Sequence, residues 1–379
     1  MSKSENSSET AHSPVRMIAF YLPQYHPIPE NDAWWGKGFT EWTNVASAKP
    51  LFRGHEQPLL PADLGFYDLR VPEVRQAQAE LARVYGIEGF CYWHYWFGGR
   101  RLLERPFDEV LASGEPDFPF CLAWANVSWT GTWYDAPDRI LIEQTYPGEA
   151  DHIAHFNALL SAFCDTRYLR VEGKPLFVVY QPSDLSAETV SLWRRLAAEA
   201  GLPGLFLVGI IKNTAEGEQI TRAGFDACTI SRTSGRGTRL PALQRALVRL
   251  FGLRRAEMYY RRHFRKPFHI YEYRDIVPFI DVEPGLDLAF YPCVMPGWDN
   301  TPRAGLHGHV FQNPSPEIFR QHLHQALVRT GQNPPGQKIV FIKSWNEWAE
   351  GNILEPDQRF GHAFLEAVQD ALDEVRNHA

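Results

Sequence analysis

The sequence has no C-x-x-C pair, and its five cysteines (Cys91, Cys121, Cys164, Cys228, Cys293) are odd in number and widely spaced. That excludes a zinc knuckle and a dithiol redox motif, and the thiols read as reduced core residues. No G-x-G-x-x-G follows the first apolar run, no G-x-x-x-x-G-K-[ST] occurs, and both H-E-x-x-H and G-x-S-x-G are missing. Dinucleotide-binding, P-loop, zincin and serine-hydrolase readings therefore fall away. No cofactor and no metal is called for. The least charged long stretch, Phe118 to Tyr134, is broken by Asn126, Ser128, Thr130 and Gly131 and does not read as a membrane span. Residues Met1–Arg16 are polar and lack the apolar core of a secretion signal, so the expectation is a disordered tail on a cytoplasmic protein.

Positive charge is also in short supply. The 379 residues carry 38 Lys+Arg against 45 Asp+Glu, a formal charge of −7, which gives no basic footprint for nucleic acid. One segment departs from this. Arg239–Arg274 holds ten Lys/Arg against Glu257 and Glu272, 10 − 2 giving +8. It reads either as a solvated helical insertion or as a docking surface for anionic glycans or lipid headgroups, through Leu243, Leu247, Leu250 and Phe251.

What is abundant is short apolar runs, in a chain that is 44% hydrophobic. Eight read as strands: Met17–Tyr21, Gly89–Trp93, Phe118–Trp124, Leu176–Tyr180, Leu205–Ile211, Phe225–Ile230, Leu288–Val294 and Lys338–Lys343. Helical spacing recurs between and after them, over Pro72–Tyr85, Ala150–Phe163, Ala187–Ala200, Pro316–Arg329 and His362–Arg376. Continuous apolar strands alternating with helices imply a parallel sheet covered on both faces, and eight units predict an α/β fold closed as a (β/α)₈ TIM barrel. An open doubly wound sheet is the rival. The expected organisation is a tail over 1–16 and one barrel over 17–379, with 239–274 inserted after the sixth strand.

Polar and aromatic residues gather just beyond these strands, on the face where barrels place active sites. They include Tyr25, His26, Trp93, His94, Trp96, Trp124, Asn126, Trp129, Trp298, Asp299, Trp345, Asn346 and Trp348. Flat aromatic faces with a few polar groups suit a carbohydrate substrate, although each Trp could instead cap the barrel core. His26 and His94 could hydrogen-bond a sugar hydroxyl or be satisfied core residues. Glu347 and Glu350, three apart after the last strand, would share one side of a helical turn. Two carboxylates in one cleft supply an ionised base and an acid of raised pKa, the equipment of glycosidic-bond chemistry. The competing roles are a capping box from Ser344 to Glu347 and a buried salt bridge for Glu350. Asp299, Glu355 and Asp357 are alternative carboxylates.

The segments Ala19–Asn31, Trp34–Asn44, Pro61–Asp68, Gly89–Phe97, Pro296–Asn300 and Trp345–Gly351 resemble the WbsX family, which is similar to the glycoside hydrolase family 99 endo-mannosidases and occurs in O-antigen and exopolysaccharide gene clusters. The resemblance runs from about residue 17 to 370. It implies a (β/α)₈ barrel with its active site around Asn346-Glu-Trp-Ala-Glu350. In family 99 the first carboxylate takes the proton of the sugar 2-hydroxyl, giving a 1,2-anhydro sugar with retention, and the second acts as acid and then base. Glu347 and Glu350 match those positions. One departure is Val127, where the family pattern carries a carboxylate; Gly131 and Thr132 likewise replace arginines. Three readings follow: a retaining glycosidase acting on a bacterial surface polysaccharide or its precursor, a glycosyltransferase, and a non-catalytic glycan-binding barrel.

Overall fold

The computed structural model describes residues 15–131, 136–230 and 240–378. Nearly all of the polar amino-terminal segment lies outside the described residues, as do Thr132 and Arg239. Arg16 already belongs to the first strand, where its Nε lies 2.8 Å from a carboxylate oxygen of Glu88.

Among the described residues, nine parallel strands form the path of one sheet, onto which Arg100–Leu102 and Arg170–Val171 pair antiparallel: β1 (Arg16–Tyr21), β2 (Gly89–Phe97), β3 (Phe120–Trp124), β4 (Lys174–Val179), β5 (Phe206–Ile211), β6 (Ala227–Ile230), β7 (Ala289–Tyr291), β8 (Cys293–Val294) and β9 (Ile339–Ile342). Their lateral order is β7-β6-β5-β4-β3-β2-β1-β9-β8. The strands at the two ends of that order are consecutive in the chain, separated by Pro292 alone, so the sheet closes into a (β/α)₈ barrel. The predicted seventh strand, Leu288–Val294, is thus two short ones. Proline cannot donate to the ladder, but its carbonyl accepts from Phe341 N at 2.9 Å. The other strand interiors are buried on both faces, which is why they read as unbroken apolar runs. Inside the barrel Phe20 of β1 stacks on Trp93 of β2 at 4.9 Å and on Phe341 of β9 at 5.3 Å, a layer of inward side chains.

Helices cover the outside. Pro72–Val84, Glu149–Cys164, Ala187–Glu199, Pro316–Thr330 and Ala363–His378 fall where the periodicity put them. Ser315 caps the fourth of these, its Oγ accepting from Ile318 N at 3.4 Å. Arg105–Ser113 and Thr214–Ala223 were not foreseen. The latter is short but clearly delimited, with Asn213 capping Glu216 N at 3.1 Å and Gly224 closing it at φ 92°. Four cysteines are buried and free, whereas Cys164 is exposed at its helix end, contrary to the core reading.

After β6 the chain forms two helices, Ala242–Phe251 and Leu253–Phe264, joined at Gly252. A strand, His269–Glu272, follows them and pairs with His309–Gln312, so this region is more than helical. No helix among the described residues is long and apolar enough to cross a membrane.

Candidate active site

Beyond β9 the backbone does not begin a helix. Asn346–Glu347 pairs antiparallel with Asn352–Ile353 across a 3₁₀ turn at Trp348–Glu350. The turn is closed by Gly351 at φ 62°, and a Cβ there would stand 2.9 Å from the backbone nitrogen of Asp299. That nitrogen donates to the Glu350 carbonyl at 2.7 Å, fixing the turn to the loop after β8.

The hairpin aims both glutamates at Arg303, on the short helix Thr301–Ala304. Arg303 Nη1 lies 2.6 Å from Glu350 Oε1 and Nη2 lies 3.0 Å from Glu347 Oε2. The same guanidinium meets Glu41 Oε1 at 2.6 Å, and Gln24 Nε2 donates to the other Glu41 oxygen at 3.0 Å. Lys343 Nζ completes the group 3.8 Å from Glu350 Oε2 while lying over the Trp298 ring at 4.7 Å. Glu347 is therefore not engaged in a capping box. Its partner is Arg303, and Ser344 Oγ has no hydrogen-bond partner among the described residues. The salt bridge considered for Glu350 is present but only partly buried, with the same cation that holds Glu347.

Three carboxylates face two cations, so full ionisation would leave one negative charge in excess. Burial pushes the Glu347 carboxyl up to about 7, assisted by the charge on Glu350 and opposed by Arg303 and Lys343. Glu41 is raised as well by burial, against the pull of Arg303. For Arg303 and Lys343, burial works against the charge, but the surrounding glutamates overcome it and hold both above their ordinary values. Glu347, which the resemblance makes a base, therefore holds a proton more readily than an ordinary carboxylate.

Above this group opens a cleft of about 260 Å³. Trp35, Trp93, Tyr95, Trp129 and Tyr180 supply its aromatic walls, and Gln24, Arg303, Lys343, Glu347 and Glu350 its polar ones. Val127 lines it too, so an apolar side chain occupies the wall where the family pattern carries a carboxylate. Of the residues singled out in the sequence, Trp93, Trp129, Glu347 and Glu350 meet at this cleft.

The others lie behind its wall. Asn346 ties the first and last strand loops together, its Oδ1 accepting from Leu22 N at 2.7 Å and its Nδ2 donating to Leu22 O at 3.1 Å. Tyr25 is fully buried between Trp42 and Tyr67 and donates to the Asn346 carbonyl. Asn126 joins the loops after β3 and β4 by a bond to Gln181 O at 2.8 Å and one from Gln181 N at 2.7 Å. Asp299 is saturated: His55 Nε2 and Gln57 Nε2 each lie 2.7 Å from Oδ2, and Thr301 donates twice to Oδ1. Trp345 and Trp348 are core residues, Trp348 Nε1 donating to Glu355 at 2.6 Å. Trp298 contributes only through Lys343.

His94, Trp96 and Trp124 form a separate buried cluster around His155. The two histidines meet Nε2 to Nε2 at 2.8 Å, so one donates and the other accepts. Burial drives His94 down to about 3, keeping it neutral. Trp96 stacks on His155 at 4.7 Å and Trp124 meets it edge-on at 4.5 Å. His26 is buried with Nδ1 on Pro23 O at 3.0 Å, and burial lowers it too. Among the alternative carboxylates, burial raises Glu355 to about 7, but it is enclosed by Tyr67, Gln78 and Trp348. Asp357 accepts from the backbone of Arg359 and Phe360 and serves a turn.

Sequence reasoning passed over Arg303, Lys343, Glu41, Gln24, Trp35, Tyr95 and Tyr180. Glu41 and Trp35 lie inside a quoted motif, whereas for Lys343, which ends a predicted strand, proximity to a strand end was a usable signal. Arg303 had none: it stands past the Pro296–Asn300 motif in an unremarked stretch. No group of three or more His, Cys, Asp or Glu among the described residues is gathered as a metal site.

The family described as Glycosyltransferase WbsX matches residues 17–368, nearly the whole described barrel. The chain belongs to the WbsX family. Among curated relatives, the uncharacterized protein WxcX of Xanthomonas campestris pv. campestris (strain B100) is 39% identical over 365 residues, covering 95% of this chain and 50% of WxcX. This WbsX-family chain thus spans about half the length of the curated relatives it matches. Among solved structures, the GH99 endo-alpha-mannosidase from Bacteroides thetaiotaomicron aligns with a TM-score of 0.58 at 15% identity, covering 96% of this chain and 98% of that one. A structure titled glycoside hydrolase-like protein aligns with a TM-score of 0.57 at 14% identity, covering 95% and 94%. At that identity the likeness establishes a common fold.

Proposed function

We propose that this WbsX-family barrel is a retaining glycoside hydrolase acting on a bacterial surface polysaccharide or its precursor. The observation that carries the reading is the convergence of Glu347 and Glu350 on Arg303 at the floor of a tryptophan-lined cleft. The productive form of the pair has Glu347 ionised, as the base, and Glu350 protonated, as the acid. Glu347 takes the proton of the sugar 2-hydroxyl, and that oxygen displaces the leaving group at C1. Glu350 gives the leaving oxygen its proton, then accepts one from the water that opens the 1,2-anhydro sugar, as Glu347 returns its proton to the 2-oxygen. A base with pKa near 7 is well matched to neutral conditions.

Glycosyl transfer is the second reading, favoured by the description of the family itself. Incubating the purified chain with the surface polysaccharide and lipid-linked glycans of the encoding bacterium, with mass spectrometry of the products, separates the two. New oligosaccharides that disappear in Glu350→Gln support hydrolysis. A mass gain that requires an added nucleotide sugar moves the assignment to transfer, and binding without turnover, unchanged in Glu347→Gln and Glu350→Gln, moves it to a glycan-binding barrel.

A further inference from the structure

The helix pair after β6 combines two properties that stable protein surfaces usually keep apart. Its joint is apolar and open: Leu250 is 73% exposed, and Phe251 and Leu253 on either side of Gly252 are about half exposed. The second helix continues the patch with Met258, 61% exposed, and Tyr259, which stacks on Phe251 at 5.9 Å and so joins the two helices in one surface. Around these side chains stand cations. Helical spacing puts Arg254, Met258 and Arg262 in one row and Arg255 and Tyr259 in the next. Arg249, Arg254, Arg255, Arg262 and Arg265 have no ion-pair partner among the described residues. Residues 240–266 carry eight Lys/Arg against one acidic residue, Glu257, so 8 − 1 gives +7 in a chain whose total is −7.

We propose that this helix pair docks the protein on an anionic phospholipid surface. Exposed apolar side chains bounded by arginines are the arrangement of an interfacial helix, whose apolar groups enter the headgroup boundary while the cations meet lipid phosphates. Charge complementarity selects this occupant: the patch is basic in an acidic protein, and an apolar partner surface alone would not call for a ring of unpaired arginines. The patch also reaches the loop that carries Arg303. Leu306 and His307, three and four residues past Arg303, share a groove with Arg254, Arg255 and Arg262. Docking would therefore hold the cleft close to the bilayer, where a lipid-linked glycan is displayed. The inference is independent of the catalytic assignment.

Vesicle co-sedimentation of the full chain tests it, using phosphatidylcholine with and without phosphatidylglycerol. Binding is expected only with the anionic lipid, and it should fall steeply as salt rises from about 0.1 M to about 1 M and the Debye length shrinks from about 10 Å to about 3 Å. Each arginine changed to glutamine should weaken binding roughly fivefold, and Arg254→Gln/Arg255→Gln/Arg262→Gln/Arg265→Gln by several hundredfold. Leu250→Asp should also weaken it, with circular dichroism and turnover of soluble glycan unchanged. No binding to anionic vesicles at low salt overturns the proposal. So does binding that ignores Leu250→Asp and is matched by soluble polyphosphate, since the patch would then recognise a free anion.

Discussion

Arg303 and Glu350 meet at 2.6 Å although they lie on loops that follow different strands, and the same guanidinium reaches Glu347 at 3.0 Å. One cation thereby sets both the spacing and the charge of the carboxylate pair. It is itself anchored from behind by Glu41, whose carboxylate is wholly buried.

Removing that cation should be costly in two ways. Arg303→Met leaves three carboxylates facing one another with only Lys343 as counter-charge. We expect a loss of about 3 kcal/mol or more of stability, read by chemical denaturation, and a fall in kcat/KM of roughly 100-fold or more. Arg303→Lys, which keeps charge but not the forked geometry, should recover part of the stability and little of the activity.

The Glu347 value makes activity depend on pH. With Glu347 as the base and its pKa near 7, kcat/KM should climb with pH through an acidic limb centred near 7. Glu41→Gln removes a neighbouring negative charge and leaves Arg303 more available to Glu347, so the limb should move to lower pH. A limb that stays in place in Glu41→Gln would detach Glu347 from the rate.

The share of stability that comes from the raised carboxyls should depend on pH in the opposite sense. A carboxyl raised in the folded state binds its proton where the unfolded chain has released it, so its contribution is full below about 4.5 and is lost as pH rises toward 7. Glu347 and Glu355 both act this way. His94 and His26, lowered by burial, act in the opposite sense over this range, so the share of Glu347 is read as a difference: the stability of Glu347→Gln relative to the parent chain should rise between about pH 4.5 and 7, while turnover is abolished.

Gly351→Ala should disturb the turn that carries Glu350. An alanine at φ 62° is strained by about 1–2 kcal/mol, and its Cβ would press on Asp299 N. Loss of activity greater than loss of stability is the expected pattern, measured by kinetics beside thermal unfolding. On the opposite wall, Trp129→Ala should raise KM by about tenfold, roughly 1.4 kcal/mol of lost contact with a sugar face, with kcat changed much less.

The barrel was legible because buried parallel strands are continuous apolar runs, and the helix positions followed from period and caps such as Ser315. The split at Pro292 was visible as a residue without an N–H, yet its consequence depends on which neighbours each half pairs with, and that is tertiary information. At the site, Glu347 and Glu350 were found by spacing after the last strand, but the expected helical turn gave way to a hairpin. Tryptophan position misled for the same reason. Trp345 and Trp348 follow a strand closely but turn into the core, whereas Trp35, far from any strand end, reaches the cleft. Arg303 was unreadable because its importance comes from three glutamates brought to it by folding.

The most direct test of the central claim is the anomeric configuration of the first-formed product, followed by proton NMR from the earliest times with any glycan the chain cleaves. Retention, lost together with turnover in Glu347→Gln and in Glu350→Gln, is the predicted result. An inverted product, or cleavage that persists in either variant, would contradict the account.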